Sequence, residues 1–106
     1  MIENLLHETL TDLSREGLSP DDVRFVRTKT ATCDWPTFAR YAETCNYYAG
    51  YGTNTIHYSL VIVGDDWWLE RGEYDGSEWW EFKRKPEQEE LPLLTYIDLL
   101  QSETGA

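Results

Sequence analysis

Apolar and polar residues near the start of the chain recur at a spacing of three to four. The apolar members are Ile2, Leu5, Leu6, Leu10 and Leu13. Because this spacing places them along one side of a helix, it predicts an amphipathic helix over residues 2–16. Gly17 follows at the position of a C-terminal cap. His7 falls on the polar side, where we expect it to be exposed and not catalytic.

A second helix is predicted over residues 35–45. Asp34 precedes Trp35 and Pro36, which is typical of a side-chain cap followed by proline in the first turn. One apolar stripe follows, made of Trp35, Phe38, Ala39, Ala42 and Cys45. Cys45 is therefore interpreted as a small core residue and not as a reactive thiol. Between the two helices, residues 19–22 indicate a turn and residues 23–28 a strand.

Alternation with a period of two dominates residues 58–84. Turn signals at Gly64-Asp65 and Asp75-Gly76 divide this region. Three antiparallel strands are therefore predicted, at 58–63, 66–74 and 78–84. Consecutive strands joined by short turns form a meander, and with the strand at 23–28 the sheet has three to four strands.

The turns also predict which residues pair. A two-residue turn at 64–65 pairs Ile62 with Trp67, and a four-residue loop around Asp75-Gly76 sets Glu70 opposite Lys83. A two-residue loop there would give the same two faces. The inner face is predicted to hold Leu60, Ile62, Trp67, Leu69, Trp80 and Phe82. The outer face is predicted to hold Val61, Val63, Trp68, Glu70, Tyr74, Trp79, Glu81 and Lys83.

Two further segments complete the predicted α+β fold. Residues 46–54 combine three tyrosines with glycine and asparagine and are predicted to form a loop, either for recognition or as a lid over a second core. Residues 92–101 carry an apolar stripe and predict a short C-terminal helix, starting at Pro92, that packs on the sheet. The length of 106 residues corresponds to a single domain, 1–106.

The charge balance narrows the class of partner. The chain has 20 acidic and 9 basic residues, for a net charge of −11. Such a field repels nucleic acid and acidic membranes and favours cationic partners, although acidity also serves solubility alone. The acidic start, without a basic stretch or a long apolar run, leads us to expect a cytoplasmic protein with two reduced cysteines.

Motifs for catalysis are missing from the sequence. It contains no GxSxG, HExxH, CxxC or phosphate-binding loop, and no calcium-loop pattern surrounds Asp65-Asp66 or Asp75. We therefore expect a protein that is not an enzyme and that has no cofactor and no metal site.

The run DWWLERGEYDGSEWWEFKRKP, preceded by YGTNTIHYSLVIVG, resembles a run in short acidic phage and prophage proteins of uncharacterised function. The resemblance covers about residues 34–86 and carries no catalytic residues with it. It implies a small protein made in the cytoplasm of a bacterial host. Many proteins of that profile inhibit host nucleases, including restriction and CRISPR complexes, some by presenting DNA-like arrays of carboxylates.

These observations predict a non-enzymatic binding protein of the anti-defence type. It would occupy a basic, nucleic-acid-binding surface of a host nuclease or CRISPR effector, with no direct contact to nucleic acid or membrane. The alternative is a phage accessory or structural protein that forms a homodimer through its aromatic sheet face. The residues predicted to contact the partner are Tyr48, Tyr51, Trp68, Glu70, Glu73, Tyr74, Asp75, Glu78, Trp79 and Glu81.

Overall fold

Two helices pack against one face of a five-stranded antiparallel sheet in the computed structural model, which describes residues 2–50, 55–87 and 90–101. The helices are α1 (Leu5–Arg15) and α2 (Trp35–Ala42). The strands are β1 (Ile2–Asn4), β2 (Phe25–Arg27), β3 (Thr32–Cys33), β4 (Asn46–Tyr48), β5 (Val61–Val63), β6 (Trp67–Tyr74) and β7 (Ser77–Arg84). The main sheet has the order β3-β2-β5-β6-β7, and β1 pairs separately with β4. The α+β class is confirmed, with more strands in the sheet than predicted.

Helix α1 begins at Leu5, three residues later than predicted. Its N-cap is Asn4, whose Oδ1 accepts a hydrogen bond from the His7 backbone N–H at 2.9 Å. The C-terminal cap at Gly17 is confirmed: φ is +74°, and the Gly17 N–H donates to the Ser14 carbonyl at 3.0 Å. Local capping therefore sets both ends of this helix.

Helix α2 has the predicted cap and ends earlier than predicted, at Ala42 instead of residue 45. Asp34 Oδ1 accepts a hydrogen bond from the Thr37 backbone N–H at 3.0 Å, and hydrogen bonding to Thr37 lowers the pKa of Asp34. Cys45, beyond the helix, packs against the core as expected. Burial raises the pKa of the Cys33 and Cys45 thiols, which keeps them protonated and poorly nucleophilic.

The loop prediction for residues 46–54 was wrong for the first three residues. Asn46–Tyr48 form β4, which pairs with β1 and places Tyr47 in the core at 3% exposure. The pairing draws residues 2–4 out of the predicted helix, because a backbone hydrogen-bonded to β4 cannot also be helical. Residues 51–54, including Tyr51, lie outside the described residues.

The β5–β6 register differs from the prediction by two residues. Ile62 pairs with Leu69 instead of Trp67, because the turn lies one residue later than predicted, at residues 65–66, and the Gly64 N–H donates to the Trp67 carbonyl at 2.9 Å. Glycine is required at position 64, since a Cβ there would lie 2.1 Å from the Trp67 ring. A shift of two residues leaves every side chain on its predicted face.

A two-residue turn at Asp75-Gly76 joins β6 to β7. Both residues have positive φ, +53° and +86°, as a tight hairpin turn requires. This turn sets Glu70 opposite Glu81, so the predicted pairing of Glu70 with Lys83 was wrong. The four-residue loop on which that pairing depended does not form.

The core lies between the inner sheet face and the helices, as predicted. Ile62, Leu69 and Trp80 are at most 6% exposed, and Phe82 is partly buried. The Trp80 indole N–H donates to Thr9 Oγ1 at 2.9 Å, which ties β7 to helix α1.

The C-terminal segment does not form the predicted packed helix. Its regular structure is one 3-10 turn at Ile97–Leu99, and residues 90–101 are exposed. Within the described residues, no helix has the length and apolar character needed to cross a membrane.

Candidate functional site

The outer face of the main sheet is the surface that the sequence singled out. None of the outward-facing side chains of its described strands is fully buried. Trp68 and Trp79 are half-buried, and Tyr74 is 77% exposed. Helix α1 reaches the sheet from the other side, through the bond between Thr9 and Trp80. The outer face is therefore an accessible aromatic and acidic surface.

Two tryptophan–glutamate pairs form the centre of this face. The Trp68 indole N–H donates to Glu70 Oε1 at 2.7 Å, and the Trp79 indole N–H donates to Glu81 Oε2 at 3.2 Å. In each pair the glutamate follows the tryptophan by two residues, so both side chains lie on the same face. Since β6 and β7 are antiparallel and Glu70 pairs with Glu81, the two carboxylates meet in the middle.

The two opposed carboxylates give the centre of the face an excess of negative charge. Like charges directly opposite each other on a sheet are destabilising. In the described part of the chain, the ion pair at this centre is a 3.8 Å contact between Lys83 Nζ and Glu81 Oε1. Lys83 is itself exposed. A cation brought by a partner would relieve the repulsion between Glu70 and Glu81.

Gly72 makes room for one of the two pairs, a role that sequence reasoning missed. It lies directly opposite Trp79. A Cβ at Gly72 would come within 2.6 Å of Glu81 Oε2 and 2.8 Å of Trp79 Nε1. Glycine inside a strand pattern often marks a close approach of another group, and that was the available signal.

The other predicted contact residues lie in different places. Glu73, Tyr74 and Asp75 are exposed at the turn end of the β6–β7 hairpin. Tyr48 is exposed on β4, in the two-stranded sheet. Tyr51 lies outside the described residues. The structure therefore brings Trp68, Glu70, Trp79 and Glu81 together at the centre of the face, with the turn residues at one end.

Glu78 was wrongly predicted as a surface contact, because it is 5% exposed and points to the inner side. Its carboxylate accepts hydrogen bonds from the backbone N–H groups of Thr55 and Ile56, at 2.7 and 3.2 Å. Arg71 Nη2 lies 3.3 Å from Glu78 Oε1, and both side chains are almost fully buried. Glu78 therefore holds the segment before β5 against the sheet.

Arg71 connects this pair to a second carboxylate, Glu8 of helix α1. Its Nη2 donates to the Tyr47 hydroxyl at 2.9 Å, and that hydroxyl donates to Glu8 Oε1 at 2.5 Å. The guanidinium also lies over the Trp80 ring, 4.6 Å from its centroid. Burial raises the pKa of Glu8, against the opposing effects of Tyr47 and Arg71. Burial likewise raises the pKa of Tyr47.

An open cleft of about 630 Å³ borders this network, between α1 and the start of β7. Its ionisable lining includes Glu3, His7, Glu8, Asp12 and Arg15. Within the described ranges, no group of histidine, cysteine and carboxylate residues is arranged to hold a metal ion. Because the network ties together α1, β4, β6 and β7, its evident role is structural.

Comparison with known protein families, curated proteins and solved structures finds no match. The resemblance to phage proteins stays a prediction, and a function for this chain has to be argued from its own geometry and charge.

Proposed function

We propose that the protein is a non-enzymatic binding protein whose outer sheet face meets a cationic surface on a partner protein. The observation that carries the proposal is the pairing of Glu70 with Glu81 at the centre of an aromatic face. Each carboxylate is already oriented by an indole N–H, at 2.7 and 3.2 Å. Oriented acceptors lose little side-chain entropy when a partner binds.

An arginine is the partner side chain that fits this centre best. Its planar guanidinium forms charge-assisted hydrogen bonds with carboxylates and stacks on aromatic rings. Here the carboxylates of Glu70 and Glu81 lie beside the rings of Trp68 and Trp79. Rigid aromatics beside desolvated charges are typical of the few residues that dominate an interface, each contributing more than about 2 kcal/mol.

The class of partner is proposed from the charge and from the phage resemblance. A chain with a net charge of −11 associates most readily with surfaces rich in lysine and arginine. Such surfaces are typical of nucleases and of other proteins that bind nucleic acid. We propose an anti-defence inhibitor that occupies the nucleic-acid-binding surface of a host nuclease or CRISPR complex.

The experiment compares two charge-matched double variants in capture from bacterial lysate, followed by affinity measurement with the purified partner. Glu70→Gln/Glu81→Gln removes the central carboxylates, and Glu16→Gln/Glu43→Gln removes two exposed charges elsewhere. We expect the first to weaken binding at least tenfold and the second to change it less than threefold.

The salt dependence of the affinity distinguishes an electrostatic contact at the centre of the face from nonspecific apolar association. Affinity of the unaltered protein should fall steeply between about 50 and 500 mM salt, because the screening length shortens several-fold over that range. Equal losses in the two double variants, or affinity that is insensitive to salt, would contradict the proposal.

Self-association through the same face is the second candidate function. It is favoured by the half-buried ring of Trp68 opposite Val63 of β5, with half-buried Trp79 on the same face of β7. This candidate predicts a salt-insensitive dimer that Trp79→Ala dissociates.

A further inference from the structure

Strand β7 lies at one edge of the main sheet, where the strand order ends with β5-β6-β7. The tight turn at Asp75-Gly76 fixes which of its backbone groups face away from β6. Because Tyr74 and Ser77 pair directly across this turn, Ser77 and every second residue after it bond to β6. The residues between them direct their N–H and C=O groups outward, and they are Glu78, Trp80, Phe82 and Arg84.

Only the beginning of this outward edge has a partner in its own chain. The Glu78 N–H donates to the Ala49 carbonyl at 3.1 Å. From Trp80 onward, no hydrogen bond between described residues reaches the outward N–H and C=O groups. We call residues 80–84 the free edge. Unpaired backbone groups along a strand are a template for the addition of one more strand.

The side chains of the free edge are complementary to those of the same edge running in the opposite direction. Its sequence is WEFKR, acidic before Phe82 and basic after it. When two copies pair antiparallel about Phe82, Glu81 of each copy lies opposite Lys83 of the other, and Trp80 lies opposite Arg84. Within one chain, Lys83 Nζ and Glu81 Oε1 are 3.8 Å apart, and the two side chains are 46% and 40% exposed. Both charges are therefore available to a second copy.

The same charges disfavour the neighbouring registers. A shift of the two-fold axis by one residue sets Glu81 opposite Glu81, or Lys83 opposite Lys83, and like charges directly opposite each other are destabilising. The register about Phe82 also fits the ends of the free edge. It sets Pro86, which has no N–H to donate, opposite Glu78, whose N–H already has a partner.

We propose that the free edge of one copy pairs antiparallel with the free edge of a second copy, centred on Phe82. The two-fold axis stands perpendicular to the sheet, so the dimer is closed and its two sheets form one continuous sheet. Both outer faces then lie on the same side of that sheet and stay uncovered, so the pairing does not depend on the proposed outer-face contact. The net charge of −11 opposes association at long range. At about 0.15 M salt the screening length is about 8 Å, which weakens this repulsion more than the direct cross-strand pairs.

The test measures the mass of the full-length protein by analytical ultracentrifugation between about 1 and 500 μM at about 0.15 M salt. Glu81→Lys and Lys83→Glu each set like charges opposite each other twice across the two-fold axis. Within its own chain Glu81→Lys faces Glu70, so we expect it to fold. Glu43→Lys is the matched control, because Glu43 is exposed at the end of α2 and the charge changes equally. We expect a concentration-dependent dimer that either edge variant weakens at least tenfold and that the control changes less than threefold.

Exchange of the two charges tests the register itself. The double variant Glu81→Lys/Lys83→Glu sets opposite charges across the strands again, and so does an equimolar mixture of the two single variants. Both should associate within threefold of the unaltered protein. A protein that is monomeric at every concentration, or single variants that neither the double exchange nor mixing rescues, would overturn the proposal. A dimer insensitive to both charge variants and dissociated by Trp79→Ala would overturn it in favour of the outer face.

Discussion

Arg71→Met removes the one cation of the buried network and retains a side chain of similar length. It leaves Glu78, at 2% side-chain exposure, without its ion-pair partner and Glu8 without a cation 3.7 Å away. The contact of the guanidinium with the Trp80 ring is also lost. The variant therefore measures the combined contribution of the ion pairs, the hydrogen bond to Tyr47 and the ring contact of Arg71.

The expected loss of stability is large. Removing one partner of a buried ion pair costs about 3–5 kcal/mol, because the other charge stays buried without compensation. The total stability of a chain of this size is about 5–15 kcal/mol. At no less than about 4 °C per kcal/mol, the melting temperature should fall by about 12 °C or more.

The pH dependence of the stability loss shows whether uncompensated buried negative charge causes it. In the variant, Glu8 stays buried and loses the lowering effect of Arg71, so its pKa in the folded state should rise further above that in the unfolded state. Such a group favours folding below the unfolded-state pKa, and stability is lost as the pH rises through the folded-state pKa. The deficit relative to the unaltered protein should therefore be largest at pH 7 and should shrink towards pH 5.

Urea unfolding, monitored by tryptophan fluorescence and circular dichroism, measures the free energy of unfolding of both proteins at several pH values. Arg84→Met is the control, because Arg84 is 54% exposed and its pair with Asp66 is long at 3.8 Å. We expect this exposed pair to contribute less than about 1 kcal/mol. A loss below about 1 kcal/mol for Arg71→Met at pH 7, or a deficit that grows as the pH falls, would refute the reasoning.

Three further predictions follow from single residues. Trp80→Ala should cost about 3–5 kcal/mol in thermal melts, against less than about 1.5 kcal/mol for half-buried Trp79→Ala, and equal losses would contradict the assigned faces. Gly64→Ala should cost about 1–3 kcal/mol or more and alter the near-ultraviolet dichroism of Trp67, because the new Cβ would lie 2.1 Å from that ring; an unchanged spectrum would argue against this geometry. Because burial raises the pKa of Glu8 above 4.5, Glu8 stays protonated to a higher pH in the native state than in the unfolded state. The unaltered protein should then lose stability relative to Glu8→Gln in urea unfolding as the pH rises from about 4 to 7, and a relative gain would contradict this.

The faces of the central hairpin could be predicted because they depend on a period of two. Trp80 lies inside and Trp79 outside, as the alternation indicated. The β5–β6 register was wrong by two residues, yet Ile62 and Leu69 stayed on the inner face. An error of one residue would have exchanged the faces, whereas an error of two does not.

The candidate site was only partly predictable. The alternation placed Trp68, Glu70, Trp79 and Glu81 on one face, and those four form the centre of the proposed contact. The carboxylate pairing at that centre required the actual length of the turn at Asp75-Gly76, since a longer loop would have paired Glu70 with lysine.

Sequence by itself determined the features set by neighbouring residues: the caps at Asp34 and Gly17, the presence of a turn at Asp75-Gly76, and which way the strand residues of the central hairpin face. Their cause is local, in backbone geometry and side-chain hydrogen bonds within a few positions.

Tertiary structure alone decided the contacts between distant segments. The β1–β4 pair joins residues more than forty positions apart, such as Asn4 with Asn46, and makes strands of the predicted helix start and of the first three residues of the predicted tyrosine loop. The Arg71 network likewise gathers side chains from four separate elements. Residues 92–101 have a helical pattern and form only one 3-10 turn in the described structure, because so short a helix needs packing to be stable, and residues 90–101 are exposed.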